Sequence, residues 1–547
     1  MKVRVAEKTL EGGTAYSRTG FRNRAALSDW GACLRDPNGR WLCIFIAAGG
    51  FLRLYGLDFQ SLWSDEGFQY YIATQNSIGK LFQQALSFHP PLSFIVNHLF
   101  LRLGYTDFLL RLPSALFGIA SLPILYVLGR ELTSKKAAVF AVFVLAFSPF
   151  HIWYSQEARM YSQLLFLSLL SSVLLLQALR RGEMSWWIYY ALANAAGTYT
   201  HIFMALALAA QFLWVALYYR RHLLPIIVVG FAVALLFLPW VLLLPWVTGF
   251  VHNVSAHGLV LGLASDGRAR FSWPAVPYTL FVYAAGFSLG PSVAELHADK
   301  SVHFILTFLP SITVVMSVSV VLLGIGIWAV NKCFGARAAV FCLLGLFIPL
   351  LGTALYSLTP RGGFNVRYTV TAFPYFCVLV GTALAFLIRA SKMFGVVAIV
   401  TLIGISAASL YNHFTNPRYA KEDIRSAVAF WQQTGDKKPL LAVGSIYPTH
   451  RYVAAADAKR LFWIGDTSHQ IVPKIEQVFL KQNISSAYAV VARDWDKSSE
   501  TAIVNVFAGT LERSFPGVKV FRISRPRKIG FSDASSKPAA SPLVDRS

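Results

Sequence analysis

SPFHIWYSQEARMYSQLLFLSLLSSVLLLQALRR, residues 148–181, decides the fold. Its second half, 161–179, carries no Asp, Glu, Lys or Arg and is close to the ~20 apolar residues that cross a bilayer as a helix. It ends on Arg180 and Arg181 and is preceded by Gln156, Glu157 and Arg159. One end is therefore basic and the other mixed polar. The same pattern recurs outward in both directions, giving apolar segments at about 41–57, 108–129, 136–153, 161–179, 186–200, 202–219, 224–247, 303–330, 338–358, 369–388 and 394–411. The 547-residue chain is 56% hydrophobic and 14% charged, with mean hydropathy +0.53. It holds too little polar surface to clothe several soluble domains, so most of it belongs in lipid.

The net charge of +23, from 49 Lys+Arg against 26 Asp+Glu, would suggest nucleic acid in a soluble protein. Here it sorts by loop, and no nucleic-acid partner is expected. Arg130, Lys135 and Lys136 fall on one side, with Arg180 and Arg181, Arg220 and Arg221, Lys332 and Arg337, Arg389 and Lys392, and the basic head 1–40. The positive-inside rule makes that side cytoplasmic. Eleven crossings starting inside leave the C-terminus outside. The expected fold class is thus an α-helical polytopic membrane protein of about eleven transmembrane helices. A small α/β extracytoplasmic domain follows at 412–524, where YAKEDIRSAVAFWQQ and HQIVPKIEQVFLKQ read as helices and PLLAVGS, AYAVVAR and GVKVFRISR as strands. The organisation reads as a disordered basic arm (1–40), a membrane domain (41–411) with a long outer loop at 58–107, the α/β domain, and a disordered tail at 525–547. No apolar core with a cleavage site precedes residue 41. The interrupted apolar stretch 274–290 reads as interfacial or re-entrant rather than as a twelfth span. None of the five cysteines lies in the outer domain, so no disulfide framework is implied.

The span interiors are nearly free of ionisable groups, and the polar chemistry gathers at the outer surface. That distribution favours an enzyme at the interface over an ion-coupled carrier, which would place charges near the midplane. Four clusters stand out. SLWSDEGFQYY carries Asp65 and Glu66; neighbouring side chains diverge, so one acid suits a general base and the other a cationic partner, unless both merely cap a helix. FHPPLSF holds His89 before two prolines that restrain it; it could bind a metal, donate to phosphate or satisfy a turn. In SPFHIWYSQEARMYSQ, Glu157 and Tyr161 share a face if the segment is helical, and the planar fork of Arg159 suits phosphate. TPRGGFNVRYTVTAFPYF brings Arg361, Arg367 and Tyr368, with two glycines that permit close backbone approach. Arg111, in LLRLPSALFG, is a further arginine on the side that should be poor in positive charge. Each arginine alone could be an interfacial anchor.

A carboxylate base, several arginines and apolar walls suit a substrate with an anionic head and a long apolar tail, such as a polyprenyl-phosphate sugar. Transfer from it needs a base for the acceptor hydroxyl and cations for the departing phosphate.

The order SLWSDEG, HPPL, RLPSALFG, GREL, SPFHIWYSQEARMYS and RYTVTAFPYF, spread over about residues 41–430, resembles the membrane glycosyltransferases of the GT-C superfold. The nearest branch is the dolichyl-phosphate-mannose-protein mannosyltransferase-like group (glycosyltransferase family 39), which is also similar to the aminoarabinose transferases. The resemblance implies a lipid-linked sugar donor used on the outer face, with Asp65 as candidate base and Glu66 in support. His89 stands where related members place a polar or metal-contacting residue. The aminoarabinose transferases have a carboxylate followed by Lys at that turn, and this chain has His89-Pro90. Arg159, Tyr161, Arg367 and Tyr368 match outer-face polar positions of the family.

The expectation is an inverting transferase that moves a sugar from a polyprenyl-phosphate donor to a glycan, lipid or protein acceptor. Membrane lipids surround it, in a bacterial inner membrane. His89, Arg111, Glu157, Arg159, Tyr161, Arg361, Arg367 and Tyr368 are the substrate-binding candidates. The cofactor stays open, a divalent metal ion among the options. The competing readings are a lipid-linked glycan flippase and a non-catalytic subunit of a glycan assembly complex.

Overall fold

The structure is a computed structural model, and it describes residues 36–85, 89–243, 275–299, 301–359, 363–465 and 468–525. The basic head up to residue 35, Arg361 and the tail beyond 525 lie outside the described residues. The described chain divides into two compact units. One runs to Gln60 and from Phe68 to Ala420, and the other joins Ser61–Gly67 to the chain from Lys421 onward.

The described part of the first unit is built of helices and turns, and each of the eleven apolar segments contains helix. Their capacity to span corrects the expected count. Among the described residues, seven helices are long and apolar enough to cross a membrane, and eight if one bent pair counts as a span. The reasons are local. The segment at 136–153 is two helices, Lys135–Ala146 and Pro149–Ser155, bent by 60°. Ser148 caps the second by accepting from the His151 amide at 3.1 Å, and Pro149 sits at the first helical position, where its missing donor costs nothing. Met184–Thr200 has 17 residues and Met204–Tyr218 has 15, short of the ~20 needed. Pro37–Leu54 starts on polar residues and carries Arg53. Ala275–Ala285, inside the stretch read as re-entrant, is an 11-residue helix; the Tyr283 hydroxyl there donates to the Thr369 carbonyl at 2.7 Å.

Glycine sets the closest helix approaches. A Cβ at Gly381 would lie 2.4 Å from the Ala141 amide nitrogen, and one at Gly326 would lie 2.2 Å from the Leu379 carbonyl. Helix Phe373–Ala390 is thereby pressed between Lys135–Ala146 and Leu309–Phe334, as small residues allow in lipid. Two polar devices stiffen this interior. Fully buried Arg53 donates to the carbonyls of Gly49 (2.7 Å), Ala146 (3.0 Å) and Leu145 (2.8 Å), and its Nη2 lies 2.7 Å from His151 Nδ1. It thus satisfies carbonyls that the break after Ala146 leaves without helical partners. A seam of neutral groups joins Ser171, Ser172, Tyr190, Asn194, Gln211 and Tyr375. Tyr190 donates to Gln211 Oε1 at 2.7 Å, Gln211 Nε2 to Ser172 at 3.0 Å, and Ser172 and Tyr375 share a 2.8 Å bond.

The second unit is built on a five-stranded sheet, with β1 Leu440–Val443, β2 Leu461–Gly465, β3 Ser486–Ala492, β4 Thr510–Phe515 and β5 Val518–Ser524. Its order is β2-β1-β3-β5-β4. β1 runs parallel to β2 and β3, and β5 antiparallel to β3 and β4. Alternate β3 residues serve two cores, as the period of a strand buried on both faces requires. Ala487, Ala489 and Val491 pack with Ile475, Phe479 and Phe507. Tyr488, Val490 and Ala492 pack with Ala427, Val428 and Trp431. Helices therefore cover both faces. The stretch 419–433, expected as helix, is helical over Ile424–Gln433, the one at 469–482 falls on helix Ser468–Lys481, the expected strands β1, β3 and β5 are present, and β2 and β4 were not anticipated.

Candidate functional site

In the helical unit, polar side chains converge where helices begin and end. The segment Gln156–Met160 is a turn between helices Pro149–Ser155 and Tyr161–Arg181, not the continuous helix that would have put Glu157 and Tyr161 on one face. The Arg159 amide donates to the Glu157 carbonyl at 2.7 Å, and the Ser114 hydroxyl donates to the Arg159 carbonyl at 3.1 Å. These bonds fix the backbone from which the buried Arg159 guanidinium projects. Its Nη1 lies 3.5 Å from Gln69 Oε1. Gln69 in turn donates to Asn97 Oδ1 at 2.8 Å, and Asn97 to the Leu110 carbonyl at 2.5 Å.

Arg367 arrives from the 3-10 turn Val366–Ala372, which begins where Asn365 Oδ1 accepts from the Arg367 amide at 3.2 Å. Its guanidinium carbon lies 5.6 Å from the ring centres of both Tyr161 and Tyr368, within cation–π reach. His201, in the turn between Met184–Thr200 and Met204–Tyr218, has its ring centre 5.7 Å from those of His89 and Tyr368 and 6.1 Å from that of Tyr161. The structure thus brings His89, Arg159, Tyr161, Arg367 and Tyr368 into one neighbourhood around a histidine the sequence reading had not singled out. A signal was present, because TYTHIF interrupts two apolar segments with polar groups.

Both imidazoles are held neutral. Burial first, then Arg159 and Arg367, hold His201 down to about 3. Burial, with Arg159, His201 and Arg367 beside it, also holds His89 well below the usual imidazole range. His201 Nδ1 accepts from the Phe203 amide at 3.2 Å, so its single proton sits on Nε2 and is available to donate. Two arginines and a neutral N–H donor among aromatic rings form a setting suited to an anionic headgroup.

A pH dependence of stability follows. In the unfolded chain these histidines protonate near their ordinary value of about 6.5, and in the folded chain they do not. Stability is therefore full above about pH 6.5 and falls as the pH drops toward the folded value. Thermal melts between pH 7.5 and 4.5 should show Tm decreasing in the acid direction, and H201Q should flatten part of that slope. An unchanged slope in H201Q would contradict the assignment.

Two of the remaining candidates lie differently, and a third falls outside the described residues. Arg111, 2% exposed, donates through Nη1 to the carbonyls of Leu57 (2.9 Å) and Gln60 (2.8 Å). Glu157 is buried within its turn. Arg361 lies outside the described residues.

The acid pair belongs to the second unit. Asp65 and Glu66 occupy the first turn of helix Ser64–Ala73, where the helix dipole favours negative charge. Glu66 is fully buried, and its Oε2 is 3.3 Å from Lys421 Nζ. The Ser61 hydroxyl accepts from the Arg425 amide at 3.1 Å, and the Tyr452 hydroxyl from the Leu62 amide at 2.8 Å. A Cβ at Gly67 would meet Pro448 at 2.4 Å. Pro448 and Tyr452 lie in the helix that follows β1, and Arg493 follows β3. Because β1 is flanked by β2 and β3, Ser61–Gly67 docks at the carboxyl end of the strand where the chain order reverses, the edge at which open α/β sheets hold ligands. Burial pushes the Glu422 carboxyl up, Asp65 adds to that, and Arg493 and Lys421 oppose it. Among the described residues, no three His, Cys, Asp or Glu side chains are grouped to hold a metal ion.

Residues 88–246 match the family model described as dolichyl-phosphate-mannose-protein mannosyltransferase. Two Bacillus subtilis (strain 168) proteins named as candidate mannosyltransferases are similar. YkcB is 26% identical over 185 residues, 31% of this chain and 25% of its own length. YycA is 28% identical over 158 residues, 26% of this chain and 22% of its own. The chain therefore spans about a quarter of the curated relatives it matches. Among solved structures, ArnT from Cupriavidus metallidurans in the apo state superposes with a TM-score of 0.57 at 14% identity, covering 89% of this chain and 98% of ArnT. The Archaeoglobus fulgidus oligosaccharyltransferase does so with 0.52 at 13% identity, over 85% and 70%. The chain is a polytopic membrane protein that shares the fold of these two structures and carries a small C-terminal α/β domain. Within that fold, residues 88–246 are similar to the dolichyl-phosphate-mannose-protein mannosyltransferase family.

Proposed function

We propose that the chain transfers a sugar from a polyprenyl-phosphate donor to a hydroxyl of a glycan, lipid or protein acceptor, with inversion at the sugar carbon. The observation that carries this reading is the convergence of Arg159 and Arg367 with His89, His201, Tyr161 and Tyr368 in the helical unit. Two cations, a neutral donor and aromatic walls suit a phosphate joined to an apolar chain and a sugar. The fold lends support. One ArnT structure is described as bound to undecaprenyl phosphate, and an archaeal oligosaccharyltransferase structure as in complex with an inhibitory peptide and a dolichol-phosphate.

In the proposed reaction Asp65 takes the proton of the acceptor hydroxyl, whose oxygen bonds to the anomeric carbon from the face opposite the phosphate. The bond from that carbon to the phosphate oxygen breaks, and polyprenyl phosphate leaves as an anion. Arg159 and Arg367 stabilise the charge that develops on it, and His201 Nε2 donates to a phosphate oxygen. The outer positions of these residues, with the basic loops opposite, favour an N-terminus in the cytoplasm and a C-terminus outside a bacterial inner membrane.

The test incubates the purified chain, in lipid nanodiscs and in sealed lipid vesicles, with a panel of radiolabelled polyprenyl-phosphate sugars and membrane extract. The expected result is label moved to an acceptor with stoichiometric release of polyprenyl phosphate. Label moved across a vesicle bilayer without transfer would instead support a flippase, and neither movement nor transfer would support a non-catalytic subunit.

A further inference from the structure

The α/β unit starts with Lys421, and two observations tie that residue's position to the acid pair. Its backbone is held from the β4–β5 side, where the Asp423 amide donates to the Pro516 carbonyl at 2.9 Å. Gly517, at φ +64°, leaves only 3.1 Å between a built Cβ and Glu422 Cγ. On its other flank, Asp423 caps helix Ile424–Gln433 by accepting from the Ser426 amide at 3.1 Å. From this fixed backbone Lys421 Nζ reaches Glu66 Oε2 at 3.3 Å, with side-chain exposures of 10% and 0%. It also lies 5.9 Å from the ring centre of Trp63.

A carboxylate buried this completely requires a paired cation. Asp65 and Glu66 are consecutive in one helical turn, so their side chains diverge by about 100°. Fixing the direction of Glu66 therefore fixes that of Asp65. The bonds from Arg425 to Ser61 and from Leu62 to Tyr452 hold the start of the same segment.

We infer that Lys421 is a positioning residue for the transfer: through its ion pair with Glu66 it aims Asp65. The inference rests on the proposed role of Asp65 as base.

The experiment uses the full chain in nanodiscs as wild type, K421M, K421R, E66Q, the K421M/E66Q double variant and D65N. Melting temperature and steady-state transfer from the donor found active in the panel are both measured. K421M should lower kcat at least about tenfold, since small misplacements of a reacting group cost on that order or more, with KM for the donor kept within about twofold. K421R should recover to within about threefold of wild type, because it keeps the cation. In the melting cycle, the double variant should lose less than the sum of the two single losses, as paired groups do. If K421M does not fold, K421R and the double variant still report the coupling.

Wild-type kcat in K421M together with an inactive D65N would overturn the inference and leave the base assignment standing. Additive melting losses in the cycle would overturn it as well. Wild-type transfer by D65N would instead overturn the base assignment itself.

Discussion

D65N is expected to lower kcat for sugar transfer by about 10²–10⁴-fold, the span that positioned general bases contribute, with KM for the donor nearly unchanged. The asparagine keeps the shape of the side chain and removes its capacity to hold the acceptor proton. Its surroundings explain why the residue is suited to the task. Asp65 lies in the first turn of its helix and beside Glu422, whose buried carboxyl is pushed up. Burial is the main cause of that upward push, and the Asp65 carboxylate adds to it. Arg493 and Lys421 oppose the push on Glu422 and offset the crowding of negative charge. Steady-state rates with a labelled donor read the effect, and a loss confined to KM would contradict it.

The second large effect falls on the phosphate side. R159M and R367M should each lower kcat/KM for the polyprenyl-phosphate sugar by about 10²–10³-fold, the cost of removing one group that stabilises developing charge. The corresponding lysines should rescue poorly, because a point charge does not reproduce the flat fork that Arg367 lays over Tyr161 and Tyr368. The double variant should fall short of the product of the two effects, since both act on one group. Inhibition by free polyprenyl phosphate separates this from general damage: it should weaken in both variants and stay unchanged in D65N. Wild-type inhibition in R159M and R367M would contradict a phosphate-binding role.

These effects divide between residues that could be read from the chain and residues that could not. The membrane class was legible because lipid demands long apolar helices with all backbone bonds internal, and 161–179 shows that directly. The number of spans was less so. Ser148 and Pro149 break one apolar run into two helices bent by 60°, and hydropathy averages over such a break. In the α/β unit, β3 was legible from its run of β-branched and small apolar residues. β4 reads TLERSF and is exposed along almost its whole length, so no alternation marks it. Asp65, Glu66, Arg159 and Arg367 stood out because charge at an apolar lip is costly. Lys421 gave no such sign. Its partner Glu66 is 355 positions away, and only the fold makes them neighbours. Arg53 spends its donors on backbone carbonyls, a structural use that a single arginine in an apolar run does not disclose.

In the proposed reaction the bond between a sugar and a polyprenyl phosphate breaks with Asp65 as base. The most direct measurement is the anomeric configuration of the transferred sugar, followed by NMR, with released polyprenyl phosphate quantified in the same reactions for wild type and D65N. Wild type should give inverted product and equimolar release, and D65N almost neither. Retained configuration, or equal turnover by the two proteins, would contradict it.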